Sequence, residues 1–154
     1  MQRYSYLLII PAVFVLDRWT KILIGDHLAY LESIRVTTYL NIVHARNMGG
    51  AFGILSQHGA GRLVFLVVPL IIISGLAWYI LFKALPFLQR LSLTFVLAGA
   101  IGNIYDRIVY GYVVDFIDFS YKGYSWPAFN VADMAITFGI GLWLCCHIFG
   151  QKAK

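Results

Sequence analysis

The sequence predicts an all-α membrane protein: four transmembrane helices, with a small extracytoplasmic β-rich cradle between helices 1 and 2. Three observations predict it. Of 154 residues, 60% are apolar or aromatic and only 12% are Asp, Glu, Lys or Arg, about half the charged share of a soluble domain. Mean hydropathy is +0.77, which leaves too few polar side chains to clothe a core in charge, so the apolar surface faces lipid. Four windows, near 4–24, 63–82, 88–106 and 131–149, are apolar enough to cross a hydrocarbon layer about 30 Å thick at about 20 residues each. The length suits a single integral-membrane domain over residues 1–154.

The first window follows Arg3 like a secretory signal, yet no small-x-small cleavage pattern follows it, and Asp17, Arg18 and Lys21 interrupt it, so it is expected to stay in the mature chain. The second, Leu63 to Phe82, carries no charge and reads as scaffold. The third ends in Asn103, Asp106 and Arg107, and the fourth begins at Asn130 and Asp133. With an even number of spans, Arg3, Lys83, Arg90, Lys152 and Lys154 fall in short segments on one side, which predicts cytoplasmic termini. The first helix then reaches Asp17 after about 20 Å, and all the intramembrane polar candidates gather near the outer leaflet. Ionisable groups in lipid cost several kcal/mol unless paired or hydrated, so this clustering points to function.

The connections share the bias. Residues 35–55 combine β-branched alternation with Gly49, Gly50 and Gly53, predicting a short strand region and a tight turn that lies on the membrane as a cradle. The 107–130 connection, rich in Tyr and Phe and carrying Trp126, has the composition of a headgroup-level segment. The net charge of +5 is explained by topology signals and headgroup contacts, not by nucleic acid. Cys145 and Cys146 are adjacent in an apolar run and read as packing residues.

The chain has seven acids, Asp17, Asp26, Glu32, Asp106, Asp115, Asp118 and Asp133. Asp115 lies between Val114 and Phe116, and Asp133 opens an apolar helix, so both are expected to be partly desolvated and to hold protons tightly. Two such carboxyls in contact cannot both ionise. One takes a proton from water while the other donates to a carbonyl, which is aspartic-protease chemistry. Structural readings compete. Asn130 and Asp133 have capping-box spacing, and taken alone that spacing favours capping over catalysis. Asp17 and Lys21 read as an i, i+4 ion pair, Asp106 and Arg107 as headgroup anchors, and Asp118 as solvated. Asp115 has the weakest structural excuse.

Other chemistries fit worse. Ser56, Ser74 and Ser92 lack the setting of a nucleophile, His44 and His58 lack zinc-ligand spacing, and Gly49 to Gly53 precede no phosphate-binding Lys or Ser/Thr. No metal or cofactor is expected.

Five ordered segments carry a resemblance over nearly the whole length: Leu16-Asp17-Arg18-Trp19-Thr20-Lys21, Asn47-Met48-Gly49-Gly50-Ala51-Phe52, Gly99 through Arg107, Val113-Val114-Asp115-Phe116 and Phe129-Asn130-Val131-Ala132-Asp133. In these the chain resembles the signal peptidase II family of bacterial inner membranes. The resemblance implies an aspartic endopeptidase that removes the signal peptide of diacylglyceryl-modified prolipoproteins, cutting just before the lipidated cysteine. It places Asp115 and Asp133 on the catalytic pair. It places Asn47, Asn103, Arg107 and Asn130 on positions that line the site, and Asp17, Lys21 and Asp106 on supporting positions. Gly49 lies within the second of these segments. The chain departs from the family's usual residues at Met134, Arg18 and Trp19, which bears on local packing.

Residues and resemblance converge on one expectation. A single water between Asp115 and Asp133 attacks the peptide carbonyl, with Phe116 and Phe129 excluding bulk solvent. Partners are lipid-modified precursors and membrane lipids, and the protein is expected to be a monomer. The alternative is a small proton-coupled transporter, against which no line of acids crosses the membrane. A third reading, a structural assembly subunit, has the acids inert.

Overall fold

The computed structural model describes residues 2–49, 59–122 and 124–150. A 3-10 turn over Gln2–Leu8 leads into α1 (Ile9–His27). Strands β1 (Ser33–Arg35) and β2 (Leu40–Asn47) follow, then α2 (Gly59–Phe82) and α3 (Phe87–Val109). Strands β3 (Val113–Tyr121) and β4 (Tyr124–Ser125) precede α4 (Val131–Gly150). Gly50, Gly53, Ser56, His58, Lys152 and Lys154 of the sequence reading lie outside the described residues or side chains.

Among the described residues, three helices are long and apolar enough to cross a membrane: Val64–Phe82, Phe87–Val109 and Val131–Phe149. Four such spans were expected, but α1 falls short on composition because Asp17, Arg18, Lys21 and Asp26 interrupt it. The most apolar, α2, has only 6% of its span buried against protein, leaving Val67, Ile71, Ile72 and Trp78 exposed. Such a surface is stable only against lipid tails. Pro69 lies inside α2, a placement membrane helices tolerate.

The centre of the bundle is α3, which packs against α1, α2 and α4. Its contact with α4 is so close that a Cβ on Gly99 would stand 2.2 Å from the carbonyl oxygen of Ala132, and one on Gly139 would stand 2.5 Å from that of Ser92. Small residues allow this approach where no hydrophobic effect drives helices together in lipid. On the other flank of α3, Tyr6, Ile80 and Leu97 form a buried apolar cluster. Buried Ser92 and Thr94 bond to the carbonyls of Gln89 and Arg90 within their own helix, both at 2.8 Å, and so cross the bundle without exposed polarity.

The four strands form one antiparallel sheet in the order β1-β2-β3-β4. The expected cradle between α1 and α2 supplies only half of it. The longest strand, β3, comes from the 107–130 connection, which was read as a headgroup-level segment and not as a strand. The reason is physical: Val113 to Phe116 are all buried, so the strand has no polar face at its start and shows no alternation in sequence. Between Ile42 and Ala45 the register against β3 shifts by a residue, bending the sheet as bulges do.

Gly99→Ala is expected to lower the stability of the detergent-solubilised protein by at least about 2 kcal/mol, because a backbone oxygen must move to admit the methyl. Gly75→Ala, with nothing within 4 Å of its added Cβ, is expected to leave thermal unfolding unchanged or slightly raised. Melting curves of the two variants check the pair.

Candidate active site

Five chain segments meet at one end of the bundle: the second half of α1, the end of β2, the last turns of α3, the start of β3 and the first turn of α4. Each delivers polar groups that its own element cannot satisfy.

Asp115 is buried on β3. Its two oxygens accept the side-chain amides of Asn130 at 2.7 Å and Asn47 at 3.1 Å. Asp133 sits at the third position of α4 and is half-buried. One of its oxygens accepts the Asn103 amide at 2.7 Å, and the other accepts the backbone N–H of Asn130 at 3.2 Å. Asn130 in turn accepts the backbone N–H of Asp133 on its own side chain at 3.0 Å. The expected capping box is therefore present, yet it leaves one Asp133 oxygen to accept the Asn103 amide.

Two amides join the acids. The Asn130 amide donates to Asp115 at 2.7 Å, to the carbonyl of Val114 at 3.3 Å and to the side-chain oxygen of Asn103 at 3.2 Å. Asn103 donates onward to Asp133. Sequence-remote Asp115 and Asp133 are thus linked through two side chains. Burial, and next the charge of Asp133, push the proton affinity of Asp115 up to about 6.

Beneath this pair lies a compact ionic cluster. The Lys21 ammonium is 2.7 Å from Asp17, 2.8 Å from Asp106 and 3.3 Å from the Asn103 oxygen, which occupies its three donors. The second oxygen of Asp17 accepts the backbone N–H of Ala132 at 3.0 Å, so α1 supplies part of the cap of α4. Asp106 is fully buried and pairs with Arg18, which corrects its reading as a headgroup anchor. Arg107 donates to the carbonyl of Asn103 at 3.3 Å and lies in the field of Asp133, Asp115 and Asp106. The expected ion pair of Asp17 with Lys21 is present but is one edge of this larger network.

The backbone fits around these groups. Gly102 has room for no side chain, since its Cβ would meet Asp17 at 2.9 Å. Gly49 holds φ +93° and its Cβ would strike the Phe65 ring at 2.6 Å. Its N–H bonds the Asn47 side-chain oxygen at 2.9 Å, which turns the Asn47 amide toward Asp115. Phe116 is buried, and its N–H and that of Ile117 both bond the carbonyl of Phe129, at 3.0 and 2.9 Å. That clasp fixes β3 beside Asn130. Asp118, read as solvated, accepts Asn41 at 2.7 Å and also Ser125, and so ties β2 and β4 to β3.

Sequence reasoning noted Arg18 as a charge in the first window and as a departure but gave it no role in the site; its guanidinium also lies 5.1 Å and 5.3 Å over the rings of Tyr105 and Tyr110. It also overlooked the Ala132 N–H and the steric role of Gly99 and Gly102. The G-x-x-G spacing preceding Asn103 is the signal that could have found the glycines.

The family model described as signal peptidase (SPase) II matches residues 9–149. A lipoprotein signal peptidase of Pseudoalteromonas translucida is 42% identical over 146 residues, covering 92% of this chain and 87% of that one. One of Alteromonas mediterranea is 38% identical over 141 residues, covering 89% and 76%. Two solved bacterial membrane enzyme structures superpose with TM-scores of 0.83 and 0.85 at 32% and 33% identity, covering 99% and 96% of this chain and 92% and 95% of theirs.

Asp115 binds its proton at about 6 when folded and near 3.8 when exposed. The folded state thus holds that proton more tightly, and stability falls as pH rises through this window. Asp115→Asn removes the titration. The variant is expected to be more stable than the parent above about pH 6, by about 1–3 kcal/mol, and to lose that advantage below about pH 4. Thermal unfolding of both proteins across pH 3.5–8 is the check.

Proposed function

The chain belongs to the signal peptidase II family and has that family's protease function, and from this premise we propose that it is an aspartic endopeptidase acting through Asp115 and Asp133. The substrates in this reading are diacylglyceryl-modified prolipoproteins, cut just before the lipidated cysteine. One observation carries the proposal: two acids from separate elements are joined through Asn130 and Asn103 in a neutral, largely buried setting. Together with Asp17 and Asp106 they make four acids, set against three bases, Arg18, Lys21 and Arg107. Four negative charges against three positive ones balance when one acid keeps its proton.

The environments say which acid keeps it. Asp133 accepts two N–H donors at the start of α4. Asp115 is deeper, and burial retains its proton. In the first step a water between the carboxyls gives its proton to Asp133 and its oxygen attacks the peptide carbonyl carbon, while Asp115 donates its proton to the carbonyl oxygen. On collapse of the tetrahedral intermediate Asp115 takes that proton back. Asp133 passes its own to the leaving nitrogen, and the peptide bond breaks. Arg107 balances the charge of the pair, and Asn47 and Asn130 hold Asp115 in place.

The chemistry on this reading needs no metal or cofactor. The protein lies in the bacterial inner membrane as a monomeric, multi-pass unit in which α1 is a fourth crossing stabilised by pairing of its charges. Both termini are cytoplasmic and the dyad lies near the outer leaflet surface, where the amphipathic substrate presents its scissile bond. Nothing in the relatives favours the proton-coupled transporter.

Asp115→Asn and Asp133→Asn are each expected to lower cleavage of a lipidated precursor by at least about 10³-fold while the protein still inserts in the membrane. Chelator is expected to leave the parent rate unchanged. A gel-shift assay with and without chelator reads both, and a near-parental rate in either variant overturns the assignment. Because Asp115 must be protonated to act as acid, kcat/KM is expected to decline on the alkaline side with an apparent midpoint near 6. Asn47→Leu removes a bond that favours ionised Asp115, so it should move that limb to higher pH.

A further inference from the structure

Arg46 lies beside the site but outside its hydrogen bonds. Strand register sets its direction: Ala45 and Asn47 of β2 pair with Asp115 and Val113, while Arg46 between them pairs with Val114. Successive residues of a strand face opposite sides of the sheet, so Arg46 points away from Asp115 and the residues on either side of it share the acid's face. Asn47 uses that face to donate to Asp115 at 3.1 Å.

On the far face the Arg46 guanidinium lies 4.7 Å from the ring of Tyr30 and 4.7 Å from that of Tyr112, well within the reach of cation–π attraction. The two rings come from different neighbours. Tyr30 belongs to the connection between α1 and β1, and Tyr112 lies between α3 and β3. Arg46 therefore spans the end of β2 from one flank to the other. The Tyr112 ring is 6.1 Å from that of Tyr110, over which Arg18 lies at 5.3 Å, so the row continues to the cation that pairs with Asp106.

The backbone gives this link its purpose. On the β1 side, the carbonyl of His44 accepts the Leu31 N–H at 2.9 Å, and the His44 N–H bonds the carbonyl of Glu32 at 3.0 Å. Among the described residues, β2 beyond His44 is paired with β3 alone. A register shift interrupts the ladder just before this stretch, and the positive-φ turn at Gly49 follows it. Asn47 thus stands on a strand end held along one edge, and Arg46 ties the other.

We infer that Arg46 is a positioning residue for the reaction: clamped between Tyr30 and Tyr112, it fixes the end of β2 so that the Asn47 amide meets Asp115. The inference rests on the endopeptidase reading. Burial sets the high proton affinity of Asp115, and the Asn47 bond works against it by favouring the ionised form. Slackening the clamp therefore lets Asp115 keep its proton to higher pH. The other charges facing Asp115 are Asp133 from α4, Lys21 from α1 and Arg107 from α3, and the variants below leave all three in place.

Tyr30→Leu/Tyr112→Leu opens the clamp and keeps the cation, whereas Arg46→Gln removes the cation and keeps the rings. Each is expected to lose about three- to tenfold in kcat on a lipidated precursor with KM little changed, as for a misplaced group remote from the substrate. Each should also move the alkaline limb of kcat/KM to higher pH, the direction expected of Asn47→Leu, and Arg46→Lys should recover part of both effects. In an Asn47→Leu background, opening the clamp should add no further shift. Infrared titration of the Asp115 carboxyl, assigned by its loss in Asp115→Asn, should show the same displacement with no turnover, so failure of the dyad assignment would leave that result standing. A rate loss with an unmoved midpoint, or a shift that adds to that of Asn47→Leu, overturns the inference. So does a shift in Arg46→Gln with the tyrosine double variant at the parental midpoint, which assigns the effect to the field of the cation.

Discussion

Burying ionisable groups at the end of an apolar bundle is tolerable only if they are close to neutral as a set and hydrogen-bonded as individuals. That constraint explains most of the site. Lys21 spends its three donors on Asp17, Asp106 and the Asn103 oxygen. Its hold on the Asn103 oxygen leaves the Asn103 amide nitrogen for Asp133. A lysine with no hydrogen bond or ion pair to Asp115 or Asp133 among the described residues thereby sets the orientation of the amide that links them. Asn130 receives the same treatment from its cap: its oxygen is committed to the N–H of Asp133, so its nitrogen faces Asp115. The amides have no freedom to flip, and the bridge between the acids is held by electrostatics one layer below it.

The same economy governs the backbone. Gly99 and Gly102 let α3 approach α4 and Asp17 closely enough for Asp17 to reach the N–H of Ala132. The start of α4 is then capped by α1 as well as by its own Asn130. Because three elements share that helix terminus, Asp133 is positioned by groups that are themselves buried, the condition for sub-ångström placement of reacting groups. Arg18 belongs to this layer. Its guanidinium satisfies Asp106 and packs on two tyrosines, closing the cluster.

Much of this was legible in the sequence, and the gaps have physical causes. Three of four helices are plain from apolar length, and the polar ends of α3 and α4 announce a shared level because charge in lipid needs company. The shortfall of α1 as a span reflects four charges, of which Arg18 and Lys21 both pair with Asp106 on α3, information no local window holds. The sheet was half-seen. Strand β2 shows its β-branched residues, whereas β3 is buried at its start and its hydrophobic run resembles an interfacial loop. Asp115 was noticed for its lack of a local excuse, and its partners prove to be Asn47 and Asn130, 68 and 15 residues away. Glycine roles were missed because a steric clash is visible only once the opposing backbone is in place.

The use of one strand and one helix to present the two acids has a consequence for their chemistry. Equal environments would leave the shared proton on either carboxyl with equal weight. Asp133 stands at a helix N-terminus, half-buried and facing a cavity, while Asp115 stands in a strand with buried residues on both sides. The strand interior opposes charge on Asp115. Burial thus raises the proton affinity of that carboxyl before any substrate binds. In the proposed reaction this asymmetry sets the direction of the first proton transfer, and it follows from the meeting of sheet and bundle more than from any single neighbouring side chain.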